Sequence, residues 1–269
     1  MAKAAHRFDN KKRKAKKPKP IPALGARGKE THGAVHPPDP GPGPGALPLA
    51  RIFQSHYQFE TVLDLGCGVG HLFPVLGKRA KKIIGMDMIP EEQLIHRPPP
   101  SVEFEYRRCD VDWSERLHGE FDAIIACNII EHVADTEQFL RWFFSAIPED
   151  GAWCLIFPLP KDELGDGHVH VFNHGLMLYN IVRIGIDCHK VEMYNKGYAC
   201  AIMGKKRTFK VPKLANGTGD IAKLSSRFPF PAKHRCDAFD VPGLVVLRPD
   251  KVQIIRWCVT KYYGFGEED

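Results

Sequence analysis

Residues 61–72, which read T-V-L-D-L-G-C-G-V-G-H-L, constrain the fold of this chain more than any other segment. A short apolar, β-prone run closes on Asp64, and glycines then follow at alternate positions. A helix-like pattern begins directly after the last of these glycines. Because glycine permits turns and close contacts that a Cβ forbids, this order predicts a strand, a tight turn and a helix whose backbone N–H groups can approach a ligand.

A second apolar run, residues 82–87, ends in Asp87, 23 positions after Asp64. An acid at the tip of the second strand, about 20 residues past a glycine turn, is placed to accept hydrogen bonds from a ribose diol. A purely structural strand–turn–helix would explain the glycines but would leave this second acid unexplained. The pair therefore indicates a ligand that carries a ribose.

The spacing of the glycines separates two families of ribose-containing ligand. A dinucleotide site follows G-x-G-x-x-G, and its last position would here be His71. The order D-x-G-x-G-x-G instead resembles motif I of the class I S-adenosylmethionine (SAM) methyltransferases. That resemblance spans roughly residues 55–207. It implies SAM as the cofactor and an α/β, Rossmann-like fold, with a seven-stranded, mostly parallel sheet, helices on both faces and an antiparallel last strand.

Hydrophobic periodicity along the chain predicts an alternation of strands and helices that suits this fold. Strands are predicted at 61–64, 82–87, 102–106, 121–127 and 151–157, helices at 47–57, 136–146 and 176–184, and a hairpin with arms at 192–194 and 198–203. A proline-rich connection at 90–100 takes the place of a long helix. We predict a disordered leader at 1–47, a methyltransferase domain at 48–207 and an extension of unassigned role at 208–269, which has β-like stretches at 243–247 and 252–258.

The resemblance also implies which residues bind the cofactor, since ligands of open parallel sheets lie outside the carboxyl ends of the strands. Asp110, after the third strand, would read the adenine amino group, although a turn-forming aspartate is an open alternative. Asn128, after the fourth strand, would lie near the methionine moiety. The full predicted set is Asp64, Gly66, Cys67, Gly68, Gly70, Asp87, Met88, Asp110, Val111 and Asn128.

Residues 128–133 read N-I-I-E-H-V, which is similar to a segment common in the small-molecule branch of these enzymes. The resemblance places Glu131 and His132 on the passage to the substrate. DNA amino-methylating enzymes instead carry N/D-P-P-Y/F at this point, and the prolines shape a pocket for a flipped base. The segment has neither proline nor aromatic residue, which argues against that class.

A glycine-rich loop after the fifth strand carries three histidines, His168, His170 and His174. Histidine titrates near neutrality, so one of them could take the proton from a hydroxyl acceptor. His168 and His170 are the first candidates for this catalytic base, and His132 is the next. Two alternatives stay open: metal ligation by the H-x-H pair with Asp166, and a loop that is purely structural. We expect no metal.

The net charge of +6 comes from the leader. Residues 1–20 hold nine Lys/Arg and one Asp, a net of +8, so the remaining residues carry a net of −2. The eight cysteines form no C-x-x-C pair, which favours a reducing compartment over a disulfide framework or a cysteine zinc site. With no apolar run of about 20 residues, we expect a cytoplasmic protein without a membrane segment.

These observations predict a SAM-dependent methyltransferase whose acceptor is a hydroxyl or carboxyl of a small molecule or a saccharide. A first alternative is a nucleic-acid or protein methyltransferase, in which the basic leader contacts the anionic partner. A second alternative is a SAM-binding scaffold without activity. The intact acids and glycines argue against this last one.

Overall fold

The computed structural model describes residues 45–109, 121–160, 167–217, 219–230, 244–248 and 251–255. Seven strands form one sheet in the order β3-β2-β1-β4-β5-β7-β6. The strands of this sheet are β1 (Thr61–Leu65), β2 (Lys82–Asp87), β3 (Glu103–Arg108), β4 (Ala123–Cys127), β5 (Ala152–Pro158), β6 (Glu192–Lys196) and β7 (Ala199–Lys205). Strands β1 to β5 pair in parallel, and β7, the last strand, runs antiparallel to β5. The predicted fold class is therefore confirmed.

Helices cover both faces of the sheet. They are α1 (Ala46–His56), α2 (Phe73–Leu76), α3 (Thr136–Ser145), α4 (His174–Arg183) and α5 (Asp220–Leu224). Successive residues of β1 point to opposite faces, so Val62 packs in a core with α1 and α2, while Leu63 packs in a second core with α3 and α4. Both faces of β1, β2, β4 and β5 are thus largely buried, as continuous hydrophobic runs predict. Strand β3, at the edge of the sheet, is exposed or half-buried along its length.

Proline and glycine set the lengths of the connections between β1 and β3. Helix α2 has four residues, with Pro74 in its first turn and Gly77 as its C-cap, so it ends well before residue 80. The proline-rich connection at 90–100 contains one 3₁₀ turn, Glu91–Gln93, and no α-helix. Strand β3 ends at Arg108, two residues beyond its predicted end at 106.

Helix α1 closes the side of the sheet that carries the hairpin of β6 and β7. Leu49 and Phe53 are fully buried, and the backbone at Gly45 passes so close to the hairpin that a Cβ there would lie 1.7 Å from the Lys196 carbonyl oxygen. The helix begins at Ala46, two residues inside the predicted leader, and Ala46 itself is buried. The chain divides into two units, Met1–Pro38 and Asp39–Asp269, and the first lies outside the described residues.

Part of the predicted extension packs onto the domain. Leu224 and Phe228 are buried in the core shared with α3 and α4, and Arg227 donates to Asp187 at 2.7 Å. Further along the chain, β8 (Leu244–Arg248) and β9 (Lys251–Ile255) pair as an antiparallel hairpin. Across the residues described, no helix combines the length and apolar character that crossing a bilayer requires.

Candidate functional site

The glycine turn after β1 is closed on one side and open on the other. Gly66 has a φ of +66°, and a Cβ there would lie 1.9 Å from Cδ1 of Ile129, so only glycine fits. Gly68 has a φ of +51°, but a Cβ there would meet no atom within 4 Å. The turn is therefore held against the segment after β4 while its outer side faces empty space.

Asp64 is a buried carboxylate without a partner. Its side chain is fully buried, and neither carboxylate oxygen has a hydrogen-bond partner. Burial, with a smaller contribution from the charge of Asp87, raises the pKa of Asp64 to about 8. A group in this state is stabilised by any cation that reaches it.

Two adjoining cavities lie at the carboxyl ends of the strands. The glycine cavity, of about 340 Å³, is lined by Asp64, Gly66, Cys67, Gly68, Val69, His71, Leu72, Asp87, Cys127, Asn128, Ile129 and His132. The broad cavity, of about 560 Å³, is lined by Leu65, Gly66, Met86, Asp87, Met88, Cys109, Ile129, His132, Val133, Ala134, Asp135 and Gln138. Since Gly66, Asp87, Ile129 and His132 line both, the two form one continuous groove.

A third space, the histidine cavity, continues this groove towards the hairpin. It measures about 270 Å³ and is lined by Ala46, Asn128, Glu131, His132, Pro158, His168, Tyr198 and Ala199. Asn128 is shared with the glycine cavity, and His132 lines all three cavities. His132 thus marks the junction between the groove and a separate chamber.

The charge of the glycine cavity selects its ligand. Asp64 and Asp87 both line it, and among its described lining residues none is lysine or arginine. Phosphate groups would lie against the carboxylate of Asp87 and would oppose ionisation of Asp64, with no fixed cation in the lining to offset either effect. The cavity therefore favours a positively charged group and disfavours a pyrophosphate.

Asp87 is held in place by the backbone around it. One carboxylate oxygen accepts from the N–H of Gly68 at 2.7 Å, and the other accepts from the N–H of Ile89 at 3.2 Å. Each oxygen keeps a free lone pair for a further donor. Asp87 can therefore bind a ligand while it also stabilises the turn.

The backbone turns sharply where β4 ends. Asn128 has a φ of +55°, a left-handed conformation that asparagine tolerates better than most residues. Its N–H donates to the carbonyl of Ile156 on β5 at 2.9 Å, which fixes the turn to the sheet. The turn directs the following 3₁₀ segment, Ile130–His132, over the groove.

Glu131 is the second buried acid of the site. Its side chain is 1% exposed and its Oε2 atom has no hydrogen-bond partner. Burial raises the pKa of Glu131 to about 7. The sequence motif predicts that Glu131 lies on the substrate passage, but its unpartnered state depends on packing that the motif does not show.

The predicted catalytic histidines occupy different surroundings. The rings of His132 and His168 meet edge to face, with their centroids 4.7 Å apart, in the wall of the histidine cavity. His170 lies outside the lining of the three cavities, and its Nε2 pairs with the carbonyl of Ala134 at 3.1 Å. His174 begins α4, and burial lowers its pKa to about 4.

Most of the predicted cofactor residues line the groove. The described residues that do so are Asp64, Gly66, Cys67, Gly68, Asp87, Met88 and Asn128. Gly70 lines neither cavity but allows the turn, with a φ of +91°. Asp110, Val111 and Asp166 lie outside the described residues. Ile129, Ala46 and Tyr198 were not predicted; the last two reach the site from distant segments, for which the sequence carries no local signal.

Comparisons with curated proteins find sequence relatives of part of this chain. Two curated relatives are ubiquinone biosynthesis O-methyltransferases of mitochondria. The protein from Homo sapiens is 36% identical over 110 residues and that from Bos taurus 33% identical over 110 residues; both matches cover 38% of this chain and 30% of the relative. The chain therefore spans about a third of the length of these relatives.

Similarity also extends to solved structures. The N-methyltransferase NodS from Bradyrhizobium japonicum, solved in complex with S-adenosyl-L-homocysteine, is 12% identical, with 59% of this chain and 84% of that chain covered and a TM-score of 0.49.

A family model described as a methyltransferase domain matches residues 43–180, about half of the chain. This range holds the glycine turn, both acids, the segment after β4 and the histidine loop. The resemblance to class I SAM-dependent methyltransferases is thereby confirmed, and the chain belongs to the methyltransferase domain family.

Proposed function

We propose that this protein is a SAM-dependent methyltransferase that methylates an oxygen of a small-molecule or saccharide acceptor. The observation that carries the proposal is the pair of carboxylates in the glycine cavity. Asp64 is buried and unpartnered, and none of the described residues lining the cavity is lysine or arginine. SAM bears an ammonium and a sulfonium, which suit this charge.

The residues present fit this cofactor. Asp64 would receive the positive charge of its amino-acid end, beside the open side of Gly68. Asp87 would accept from the ribose hydroxyls, since each of its oxygens has capacity beyond its present bond. The broad cavity, whose lining includes Leu65, Met86 and Ile129, would take the apolar faces of the adenine ring.

The bound cofactor supplies an electrophilic methyl group on sulfur with a good leaving group. What remains for the chain is to align the acceptor, exclude water and remove the acceptor's proton. His132 lines every cavity of the groove and so can contact both partners. The proton of an acceptor hydroxyl would pass to the group formed by Glu131, His132 and His168, all of which line the histidine cavity.

Two further observations support an oxygen acceptor of modest size. The curated relatives are named O-methyltransferases. The histidine cavity, at about 270 Å³, is smaller than the broad cavity. It adjoins the groove proposed for the cofactor at His132, so an acceptor of modest size in it would lie next to that cofactor.

The proposal is tested by incubating the purified protein with methyl-labelled SAM and fractions of a small-molecule cell extract. We expect label in a small-molecule product, and its stability to mild base distinguishes an ether from an ester. Glu131→Gln should abolish most of the incorporation. His189→Ala, a change at an exposed histidine away from the groove, is the matched control and should not alter it. Binding of S-adenosyl-L-homocysteine without transfer to any fraction, or to added nucleic acid or protein, would instead favour a scaffold.

A further inference from the structure

Three potential metal ligands converge in the wall of the histidine cavity. Glu131, His132 and His168 each offer one ligand atom, and these atoms lie within 4.8 Å of one another. They come from two segments, the 3₁₀ turn after β4 and the loop after β5. The sequence considered His168 with His170 and Asp166 for such a role, so the fold brings together a different set.

Glu131 is a buried acid with an unpaired carboxylate oxygen. The carboxylate is 1% exposed, and its Oε2 has no hydrogen-bond partner. A buried acid is normally paired or coordinated, because an isolated charge in a protein interior is costly. No charged side chain is bonded to Glu131 among the ion pairs of the described residues.

His132 has the hydrogen bond that orients a metal-binding histidine. Its Nδ1 pairs with the carbonyl of Gly167 at 3.0 Å. Because a carbonyl can only accept, Nδ1 donates its N–H, and in the neutral ring Nε2 then keeps the lone pair that a metal requires. Histidines that bind metals commonly donate their second ring nitrogen to a carbonyl in this way.

The loop after β5 is bound to the same turn. The N–H of Val169 donates to the carbonyl of Glu131 at 2.8 Å, and that of His170 donates to the same oxygen at 3.2 Å. Gly167 has a φ of +71°, and a Cβ there would lie 3.1 Å from Nδ1 of His132. These contacts hold His168 beside the other two ligands, and the rings of His132 and His168 are both exposed.

We propose that Glu131, His132 and His168 bind a divalent transition-metal ion such as Zn²⁺. Two imidazoles and one carboxylate favour a borderline metal over Mg²⁺ or Ca²⁺, which prefer oxygen ligands. Three protein ligands leave at least one coordination position open, the arrangement of catalytic rather than structural zinc sites. All three residues line the histidine cavity, so an ion held by them would lie at the wall of the chamber assigned to the acceptor.

The ion gives this chamber a specificity for oxygen ligands, an inference that rests on the proposed function. When bound, the ion would lower the pKa of an acceptor hydroxyl that coordinates it, so that the proton would leave to solvent and the electron pair would stay on oxygen. The acceptor class is then a chelating one, with two adjacent oxygens, such as a catechol, a vicinal diol or a hydroxy acid. With the ion bound, the two histidines would act as ligands, and the proton that the proposed function passes to Glu131, His132 and His168 would leave to solvent instead.

The metal itself is the probe. The full-length protein is stripped with a chelator and titrated with Co²⁺, whose visible absorption reports nitrogen and oxygen coordination; Zn²⁺ is then titrated by calorimetry. We expect one site per chain, and we expect Zn²⁺ to displace Co²⁺ from it. Glu131→Gln and His168→Ala should each weaken binding by at least ~100-fold, since each removes a ligand.

His189→Ala is the matched control, because it removes an exposed histidine outside the cluster and should leave the titration unchanged. Circular dichroism of Glu131→Gln tests whether this change at a buried residue leaves the chain folded. Equal binding by the parent, Glu131→Gln and His168→Ala would place the metal elsewhere and overturn the proposal, as would absence of Co²⁺ binding by the parent.

The test is independent of methyl transfer. A protein that binds Co²⁺ at these residues but not S-adenosyl-L-homocysteine would retain the metal site and refute the proposed function. A protein that binds S-adenosyl-L-homocysteine but shows no change on titration with Co²⁺ would refute the metal site and leave the proposed function standing. Addition of a catechol, a vicinal diol and a hydroxy acid in turn to the Co²⁺ form then tests the acceptor class, and a spectrum that none of the three changes would rule out a chelating acceptor.

Discussion

The carboxylate of Asp87 accepts a 2.7 Å hydrogen bond from the backbone N–H of Gly68. This bond joins the tip of β2 to the glycine turn after β1. Both residues line the glycine cavity. The acid that the sequence assigns to ligand binding therefore also shapes the turn that would hold the ligand.

Asp87→Ala should weaken binding of S-adenosyl-L-homocysteine by ~2–4 kcal/mol, in the range for hydrogen bonds to a charged group. The variant should also melt at a lower temperature, because Gly68 and Ile89 lose their acceptor. Asp87→Asn is the matched control: its amide oxygen can still accept from one N–H, so it should melt nearer the parent yet still bind weakly. Parent-like affinity in both folded variants would show that the acid does not contact the ligand.

Asp64→Asn should raise stability and lower affinity. The pKa of Asp64 rises from an ordinary 3.8 to about 8 in the folded chain, which therefore holds a proton that the unfolded chain has released. Stability without ligand should fall as pH rises between these values, and the variant should lack that fall. Melting temperatures of parent and variant across this pH range provide the test, and parallel curves would contradict the assignment.

Ligand affinity should show the opposite trend with pH in the same experiment. A cationic ligand favours the ionised form of Asp64, so the parent should bind S-adenosyl-L-homocysteine more tightly at about pH 7.5 than at about pH 6. Both pH values lie below about 7.7–8.0, the pKa of an α-amino group, so the ligand's ammonium is largely charged at each. Asp64→Asn should bind weakly and equally at both. A parent affinity independent of pH would mean that the ammonium lies elsewhere.

His168→Ala and His170→Ala should separate two histidines that the sequence treats alike. His168 lines the histidine cavity, whereas His170 pairs with the Ala134 carbonyl outside it. We expect His168→Ala to retain S-adenosyl-L-homocysteine binding and to lose ~10²–10⁴-fold in turnover. His170→Ala should have a mild effect on turnover, and a larger loss there than in His168→Ala would reverse the assignment.

Truncation tests where the folded chain begins. Removing residues 1–44 should leave the melting temperature and cofactor affinity unchanged, because the sequence up to that point is rich in Lys, Pro and Gly. Removing α1 as well should destabilise the protein by several kcal/mol, since Leu49 and Phe53 are fully buried. A loss of affinity in the shorter deletion would mean that the leader contributes to the site, and salt-sensitive nucleic-acid binding lost with it would support the nucleic-acid alternative.

Much of the fold could be predicted from local patterns. Strand β4 is a continuous apolar run, and strand β1 ends at a glycine turn; such signals lie within a few residues. They were sufficient for the parallel sheet and for the hairpin at its edge. The end of α2 was less predictable, because a proline at its start and a glycine at its end shorten it to four residues.

The site was predictable only where one segment carries it. Asp64 and Asp87 follow from spacing along the chain, and the resemblance of residues 128–133 to a family segment implies that Glu131 lies near the groove. The pairing of His132 with His168 depends on two loops that meet after β4 and β5, and no short pattern reports such a contact. For the same reason His170, two residues from His168, could not be set apart: its bond to Ala134 exists only in the folded chain.

The central claim is that the glycine cavity binds a cationic cofactor and not a pyrophosphate. Calorimetric titration of the full-length protein with SAM, with S-adenosyl-L-homocysteine and with NAD tests it most directly. We expect both sulfur compounds to bind at one site per chain and NAD to bind far more weakly, because two acidic side chains and no described lysine or arginine line the cavity. Tighter binding of NAD than of SAM would contradict the account.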